Sequence, residues 1–281
     1  MSAPGENQFE QQEPGYFFFS TGNLDTQPGF HWKDPFRNQG NEERQSGIIV
    51  MKIKALQPLI VSDGVMRTKE ANSFFRFYRN RGKAFIPGSS FKGSLRTYLG
   101  LFASPSFADA LLGTIQRGEE HCALVETNDI PVDCALVEHY LPQQYGPRER
   151  SPSTNQYRVY KNHVEQAFQR THRFEAVPQG VVLETTLSFR GLRKKDVGLF
   201  LMALGCHPSH GFAVKMGRGK GINCGSVQLV VKEIHSISRP LSDPNPKVQD
   251  ATVFLNDFQR MEQSLFQQLQ RKIEQFTKGG G

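Results

Sequence analysis

The sequence predicts an α+β fold in which two strand–helix–strand units share one sheet. Three observations support this prediction: β-branched apolar runs, helical spacing of apolar residues between them, and Gly or Pro at the junctions. The order strand, helix, strand, then strand, helix, strand is typical of the split βαβ, ferredoxin-like pattern that RNA-recognition domains share. We expect this core at residues 47–235, with a long insertion at about 104–178 and a C-terminal helix.

The chain begins with an arm, residues 1–46, whose Gln-, Gly- and Pro-rich composition is typical of a flexible or irregular segment. Its aromatic run, 16–19, is expected to dock on a partner or on the body of the chain. The apolar runs 48–53 and 56–61 then predict one long first strand. The basic and aromatic stretch 62–83 predicts a loop or hairpin.

The first helix is predicted after a short strand at 84–86 and a Pro-Gly turn. Ser89 or Ser90 is the expected N-cap, because a serine hydroxyl accepts hydrogen bonds from the N–H groups of a first helical turn. Apolar residues at helical spacing mark the face that we expect to be buried: Phe91, Leu95, Leu99 and Phe102.

The second unit follows the insertion, in which repeated prolines indicate hairpins and loops rather than a separate domain. Alternating apolar residues over 181–189 predict a strand. A helix is expected over 196–204 and the last strand of the core over 227–234. Beyond the core, residues 250–278 are predicted to form one amphipathic helix.

The charge balance favours a polyanionic partner. The 281 residues include 34 Lys and Arg against 27 Asp and Glu, which gives a formal net charge of +7 and a pI near 9.3. Nucleic acid is the first candidate partner for such a chain. Two alternatives remain open: the excess charge serves solubility alone, or the basic face binds an acidic protein.

The sequence argues against several other classes of protein. The longest apolar run, 199–204, is far below the roughly 20 residues of a membrane-spanning helix. No basic segment followed by an apolar one opens the chain, so no secretory signal peptide is expected. Four cysteines are too few for a disulfide scaffold and indicate a reducing compartment. We therefore expect a soluble, cytoplasmic protein without membrane contacts.

A first candidate anion site lies at the start of the first helix. Its residues are Ser89 and Ser90, whose hydroxyls can donate, and Lys92 and Arg96, which are four positions apart. A helix N-terminus offers unpaired N–H groups and the positive end of the helix dipole. Like charges at this spacing repel unless an anion lies between them. The alternative is an ordinary capped helix with a solvated basic face.

A second candidate site is the glycine-rich run 215–225, immediately before the last strand. A dinucleotide-binding loop would follow a strand and open a helix, and a Walker loop needs Lys-Ser/Thr, so neither fits. A basic loop that lies along a sugar–phosphate backbone remains, with a plain turn as the alternative. The candidate RNA-binding residues of this run are Lys215, Gly217, Arg218, Gly219, Lys220 and Gly221.

Together, the two segments resemble motifs of the RAMP superfamily, and more narrowly of the backbone-type subunits of type III CRISPR effector complexes. The resemblance covers roughly residues 48–235 and rests on Pro-Gly-Ser-Ser-x-Lys-Gly-x-Leu-Arg and Gly-Arg-Gly-x-Gly, in that order. It implies that both segments contact the backbone of a guide CRISPR RNA. It also implies a thumb hairpin in the insertion, with complementary target RNA and other effector subunits as partners.

RNA cleavage is the point at which the sequence departs from this resemblance. Slicing relatives carry an aspartate in the loop after the first strand, where this chain has Asn72. Asp63 and Glu70 are the remaining catalytic candidates, and either would act with Mg²⁺. We expect a subunit that binds the guide–target duplex without cutting it. The alternative is a RAMP-type endoribonuclease that acts on target RNA or, with a histidine as general base, on the guide-RNA precursor.

No metal site is predicted, although two Cys/His clusters leave a structural zinc open. Neither cluster has the spacing of a zinc knuckle, and lone cysteines are usually small buried residues. One cluster lies in the insertion and comprises His121, Cys122, Cys134 and His139. The other brackets the glycine-rich run and comprises Cys206, His207, His210 and Cys224.

Overall fold

The computed structural model of the chain describes residues 16–22, 43–69, 72–116, 119–141, 156–162, 172–238 and 245–280. The helices in these ranges are α1 (Gly88–Phe102), α2 (Pro105–Leu112), α3 (Lys194–Ala203), α4 (Ala251–Met261) and α5 (Gln263–Lys278). The strands are β1 (Tyr16–Ser20), β2 (Arg44–Ala55), β3 (Ser62–Lys69), β4 (Asn72–Phe77), β5 (Arg79–Asn80), β6 (Lys83–Ile86), β7 (Thr114–Gln116), β8 (Glu119–His121), β9 (Val125–Thr127), β10 (Ile130–Pro131), β11 (Val137–Leu141), β12 (Gln156–Tyr160), β13 (His172–Ala176), β14 (Val182–Arg193), β15 (Val214–Lys215), β16 (Ser226–Ile237) and β17 (Lys247–Gln249). The chain is therefore a mixed α+β protein, as the sequence predicts.

The central sheet has six strands in the order β15-β16-β2-β14-β9, and β17 also pairs with β16. All of these strand pairs are antiparallel. Alternate residues of β2, namely Ile49, Met51 and Ile53, are buried, and they share one hydrophobic core with Phe91 and Leu95 of α1. Helix α3 contacts α1 and α4, and α5 contacts α1. The alternation thus places one face of the sheet against the helices.

The predicted first strand is wrong beyond Ala55, where β2 ends. The backbone N–H of Gln57 donates to the carbonyl oxygen of Ser226 at 3.2 Å, and Pro58 has no N–H to give to a ladder. The chain therefore leaves the sheet and meets the glycine-rich run through an isolated bridge at Ile60 and a hydrogen bond from the N–H of Gly225 to the carbonyl oxygen of Pro58 at 2.9 Å. The hairpins expected over 62–83 are present as β3–β4 and β5–β6.

The region predicted as an irregular insertion contains regular elements. Helix α2 begins with Ser104, whose hydroxyl accepts from the N–H of Phe107 at 3.0 Å, and with Pro105 in its first turn. Strand β9 lies at the edge of the central sheet, against β14. Strands β11 and β13 join the first hairpin in a second sheet of order β11-β13-β4-β3. This second sheet is what places the insertion beside the glycine-rich run.

Both ends of the described chain pack on the core. Strand β1 pairs with β12, and the rings of Phe17 and Phe19 lie 6.1 Å and 5.8 Å from that of Phe276 in α5. The aromatic run therefore docks on the body of the chain. The predicted C-terminal helix is divided in two because Glu262, with φ −133° and ψ 51°, leaves the helical conformation. No helix of the described ranges is long and apolar enough to cross a membrane.

Candidate nucleic-acid interface

A cavity of about 450 Å³ lies between the start of α1, the start of β3 and the glycine-rich run. We call it the groove. It brings together the two segments that the sequence singles out, which are more than 120 positions apart in the chain. Its walls carry hydroxyls and two cationic side chains, and none of the described residues that line it is a carboxylate. The lining residues are Ile60, Val61, Ser62, Gly64, Ser89, Ser90, Gly93, Ser94, Gly217, Arg218 and Lys220.

Helix α1 presents its first turn to the groove, although not through the predicted cap. The helix begins at Gly88 with Pro87 as its N-cap, so the expected cap at Ser89 or Ser90 is wrong. The N–H of Gly88 donates instead to the Oδ1 atom of Asp129 at 2.7 Å. The acceptor for the first N–H of the helix thus comes from another segment of the chain. Both serines are exposed in the first turn, and the Asp129 carboxylate on the N–H of Gly88 is the acidic group beside it.

The glycine-rich run is held against the groove floor by its backbone. Gly217 and Gly219 have φ of +77° and +73°, in the left-handed region that favours glycine. A Cβ atom on Gly217 would lie 2.3 Å from the carbonyl oxygen of Ile60. Gly219 accepts a hydrogen bond from the N–H of Ile222 at 3.0 Å, and Gly221 lies in the same turn. The loop conformation therefore depends on glycine at two positions that flank Arg218.

The two cations of the groove differ in their surroundings. Arg218 is exposed, and its guanidinium carbon lies 5.3 Å and 5.4 Å from the ring centroids of Phe75 and Phe174. Lys220 is half-buried, and burial lowers the pKa of its ammonium group. An approaching phosphate would favour the charged form of Lys220 and offset the cost of that burial.

Lys215, a predicted RNA contact, is buried and does not line the groove. Its residue surface is only 3% exposed, and its Nζ atom donates to the Oε1 atom of Gln57 at 2.7 Å and to the carbonyl oxygen of Cys224 at 3.1 Å. Burial lowers the pKa of Lys215 to about 8. The same Gln57 oxygen accepts a hydrogen bond from the hydroxyl of Ser226 at 2.7 Å. Lys215 therefore joins the base of the loop to the end of β2 and the start of β16.

Lys92 and Arg96 also lie outside the groove. They line a second cavity of about 560 Å³ between α1 and α2. The Arg96 guanidinium forms an ion pair with Asp109 and donates to the carbonyl oxygen of Gly113. The anion beside Arg96 is thus a carboxylate of this chain. Lys92 and Arg96, predicted with the two serines to contact guide RNA, thus line a different cavity from the serines.

The catalytic candidates are only partly described. Asp63 begins the hairpin of the second sheet, and its carboxylate accepts from Arg67 at 2.8 Å and 3.3 Å and from the N–H of Val65 at 3.0 Å. The hydrogen bond from Arg67 lowers the pKa of Asp63. Glu70 lies outside the described residues. The geometry therefore places the Asp63 carboxylate on Arg67, next to two groove residues, Ser62 and Gly64.

The two Cys/His clusters do not assemble metal ligands in the described ranges, where no three His, Cys, Asp or Glu side chains lie close enough to hold an ion. The side chain of His121 is not among the parts of the chain that the structure describes. The ring centroids of His207 and His210 are 4.7 Å apart with their planes tilted by 31°, and the Nδ1 atom of His207 accepts from the N–H of Ser209 at 3.1 Å. Burial raises the pKa of Cys206 to about 12 and that of Cys224 to about 11, as expected for apolar surroundings.

Several groove residues were not predicted. Ser62 and Gly64 flank Asp63 in a Ser-Asp-Gly sequence, which is a recognisable turn signal. Ser94 follows from helical geometry, since it is one turn beyond Ser90. The two phenylalanines beneath Arg218 carry no local signal, because they come from strands almost 100 positions apart.

Comparison with known proteins agrees with the resemblance. The sequence profile of the RAMP superfamily matches residues 52–205, more than half of the chain. No curated protein matches. Among solved structures, a chain of the type III-B Cmr-β complex bound to cognate target RNA aligns with 13% identity and a TM-score of 0.41, covering 65% of this chain and 96% of that one. A chain of a type IV-B CRISPR complex aligns with 16% identity and a TM-score of 0.40, covering 70% and 99%.

Proposed function

The chain belongs to the RAMP superfamily, and from this premise we propose that it is a guide-RNA-binding backbone subunit of a type III CRISPR effector complex. Its partners are then guide CRISPR RNA, complementary target RNA and other subunits of a cytoplasmic antiviral ribonucleoprotein. The strand order supports a split βαβ core: β16, β2, β14 and β9 are the fourth, first, third and second core strands in chain order.

The groove is the observation that carries this proposal. Four serine side chains, of which Ser94 already donates to the carbonyl oxygen of Ser90 at 3.3 Å, line one cavity with the first turn of α1 and two cations, and no carboxylate of the described residues lines it. Such a combination of N–H and O–H donors with positive charge suits phosphodiester oxygens and carries no base-specific reading. The groove therefore suits a protein that holds RNA by its backbone and leaves the bases to pair with a target.

We propose that the subunit binds RNA without cutting it. The Asp63 carboxylate accepts two hydrogen bonds from Arg67 and one from a backbone N–H. A divalent ion at this carboxylate would meet the positive charge of the Arg67 guanidinium, which already contacts both carboxylate oxygens. The engagement of Asp63 with Arg67 supports a binding role for this end of the groove.

Fluorescence anisotropy with a labelled single-stranded RNA tests the proposal. Replacing Arg218 and Lys220 together by alanine is expected to weaken binding at least tenfold at low salt. The dependence of log K on log salt should become shallower by about 0.7 for each phosphate that the variant no longer neutralises. RNA that copurifies with the protein, once sequenced, would identify the guide.

Arg260→Ala with Arg271→Ala is the matched control, since it removes the same charge from exposed positions of α4 and α5 outside the groove lining. We expect this control to change RNA binding only slightly. Equal losses of affinity in the two double variants would show that general charge, and not the groove, holds the RNA. Wild-type protein that binds no RNA would contradict the proposed function itself.

A further inference from the structure

We propose that Phe75 and Phe174 form an aromatic support that positions Arg218 for RNA and leaves its hydrogen-bond donors available. This inference rests on the proposed function and names the residues that set the geometry of the groove. Phe75 lies on β4 and Phe174 on β13, two parallel neighbours of the second sheet, where the register pairs them directly. Neither residue lines the groove, so each acts through Arg218.

The two rings form a parallel stack. Their centroids are 4.7 Å apart and their planes differ by 8°. Phe174 is buried in a small hydrophobic cluster with Ile222 and Cys224, and Phe75 packs against the same cluster. The support is therefore anchored in the core that lies under the glycine-rich run. Ile222 and Cys224 belong to the glycine-rich run, so packing against them fixes the position of the support relative to the loop.

Arg218 meets this stack from the loop. The guanidinium carbon lies at nearly equal distances, 5.3 Å and 5.4 Å, from the two ring centroids. Aromatic rings attract a cation without accepting a strong hydrogen bond, so the five N–H donors of the guanidinium are not consumed. Within the part of the chain that the structure describes, the Arg218 side chain has no carboxylate partner. The two rings thus orient the Arg218 guanidinium, and its N–H groups are left to donate to a phosphate.

Arg173, next to Phe174 on β13, shows a contrasting arrangement. Arg173 lies 5.2 Å from the ring of Phe74, but it also donates to the carboxylate of Glu138 at 3.2 Å. Part of its charge is therefore neutralised within the chain. Phe74 and Phe75 are consecutive residues of β4, so their side chains point to opposite faces of the sheet. Of these two arginines, the one that faces the groove is held by rings without a carboxylate.

A double-mutant cycle between Phe75 and Arg218 tests this inference. Phe75→Leu keeps apolar volume and removes the ring, and we expect it to weaken RNA binding about three- to tenfold, the range of a moderate cation–π contact. In an Arg218→Ala background the same change should have no further effect on RNA affinity. Phe75→Tyr, which restores a ring, should recover binding. Phe74→Leu is the matched control and should leave RNA affinity unchanged.

Thermal unfolding of each variant separates positioning from folding. If Phe75 had a purely structural role, Phe75→Leu would lower the Tm, and its effect on RNA affinity would be the same with and without Arg218. If Phe75→Leu lowers RNA affinity equally in the wild-type and Arg218→Ala backgrounds, or in neither, the inference is overturned. The proposed function is unaffected by that result as long as the wild type binds RNA. Wild-type protein that binds no RNA would overturn both.

Discussion

The backbone N–H of Arg218 donates to the carbonyl oxygen of Ile60 at 2.8 Å, and this hydrogen bond joins the glycine-rich run to the floor of the groove. Ile60 is fully buried, so its carbonyl is a fixed point. The same oxygen leaves no room for a side chain on the preceding residue, Gly217. One carbonyl therefore determines both the position of the arginine and the need for glycine beside it.

Gly217→Ala is expected to lower both stability and RNA affinity. The left-handed backbone costs a residue with a Cβ atom about 1–2 kcal/mol, and the Cβ atom would meet the Ile60 oxygen at 2.3 Å. Shifting the loop to relieve this clash would move Arg218 away from the groove. Urea unfolding and RNA anisotropy measure the two effects. A variant with wild-type values of both would show that the loop tolerates another conformation.

Gly93→Ala separates the requirements of folding from those of RNA binding. Gly93 is an exposed residue inside α1, and nothing lies within 4 Å of the position that its Cβ atom would occupy. Alanine in a helix interior is favoured over glycine by about 0.5–1 kcal/mol, so the variant should be more stable. Because Gly93 lines the groove, the added methyl group should weaken RNA binding.

Greater stability with unchanged RNA affinity for Gly93→Ala would show that the RNA backbone does not approach this turn of α1. Thr97→Ala, one turn later on α1 and outside the groove lining, is the control for helix effects alone. Its RNA affinity should equal that of the wild type.

Lys92→Ala and Arg96→Ala are expected to behave differently. Arg96 joins α1 to α2 through Asp109 and the Gly113 carbonyl, so its loss should cost about 1 kcal/mol of stability, a value limited by the partial exposure of the pair. Lys92→Ala should leave stability unchanged. Asp109→Asn should reproduce the effect of Arg96→Ala if the ion pair is the cause. A reduced salt dependence of RNA binding in Arg96→Ala alone would restore its predicted RNA contact.

Much of the fold follows from local patterns. Apolar residues alternate along β2 and β14 and recur at helical spacing along α1 and α3, because one face of each element is buried in the core. These patterns can therefore be read from the sequence. Strand β9 has only three residues, too few for a period, and its place in the sheet is decided by pairing with β14. Local patterns therefore locate the long elements and miss the short ones.

The candidate site was predictable only in part. Both motifs reach one groove, but Lys215 could not be separated from its exposed neighbours by sequence, because the Gln57 oxygen that it contacts is 158 positions away. Arg96 is the same case, since its partner Asp109 belongs to a helix absent from the prediction. Charge in a motif indicates a type of chemistry, whereas burial and pairing decide which charges remain available.

Lys215 is expected to make stability rise with pH. Its folded-state pKa of about 8 lies below the ordinary value of 10.5, so between these values the unfolded chain holds a proton that the folded chain has released. Stability therefore increases through this window, by about 3 kcal/mol in total. Below pH 8 the buried ammonium is charged and its full cost is present. Lys215→Met should lack this increase.

Urea unfolding of wild type and Lys215→Met from about pH 7 to about pH 10 measures the difference. Burial raises the pKa values of Cys224 and Tyr98, which gives stability the opposite slope, but both proteins contain these groups. Because the charge of Lys215 also lowers the pKa of Cys224, the comparison is repeated in a Cys224→Ala background, where the difference isolates Lys215. A difference that stays constant across the series would show that the pKa of Lys215 is not lowered.

The absence of cutting is tested in a reconstituted complex given Mg²⁺ and labelled complementary RNA. We expect Asp63→Asn and Glu70→Gln to give the same RNA products as the wild type, with Glu184→Gln, an exposed carboxylate of the central sheet, as the control. Asp63→Asn should instead lower stability slightly, because it weakens the ion pair with Arg67. Arg67→Ala removes that ion pair, so cleavage that appears only in this variant would show that Arg67 alone keeps the Asp63 carboxylate from a metal ion. Loss of one cleavage band in Asp63→Asn or Glu70→Gln, with assembly intact, would identify the catalytic carboxylate and replace the binding role with an endoribonuclease.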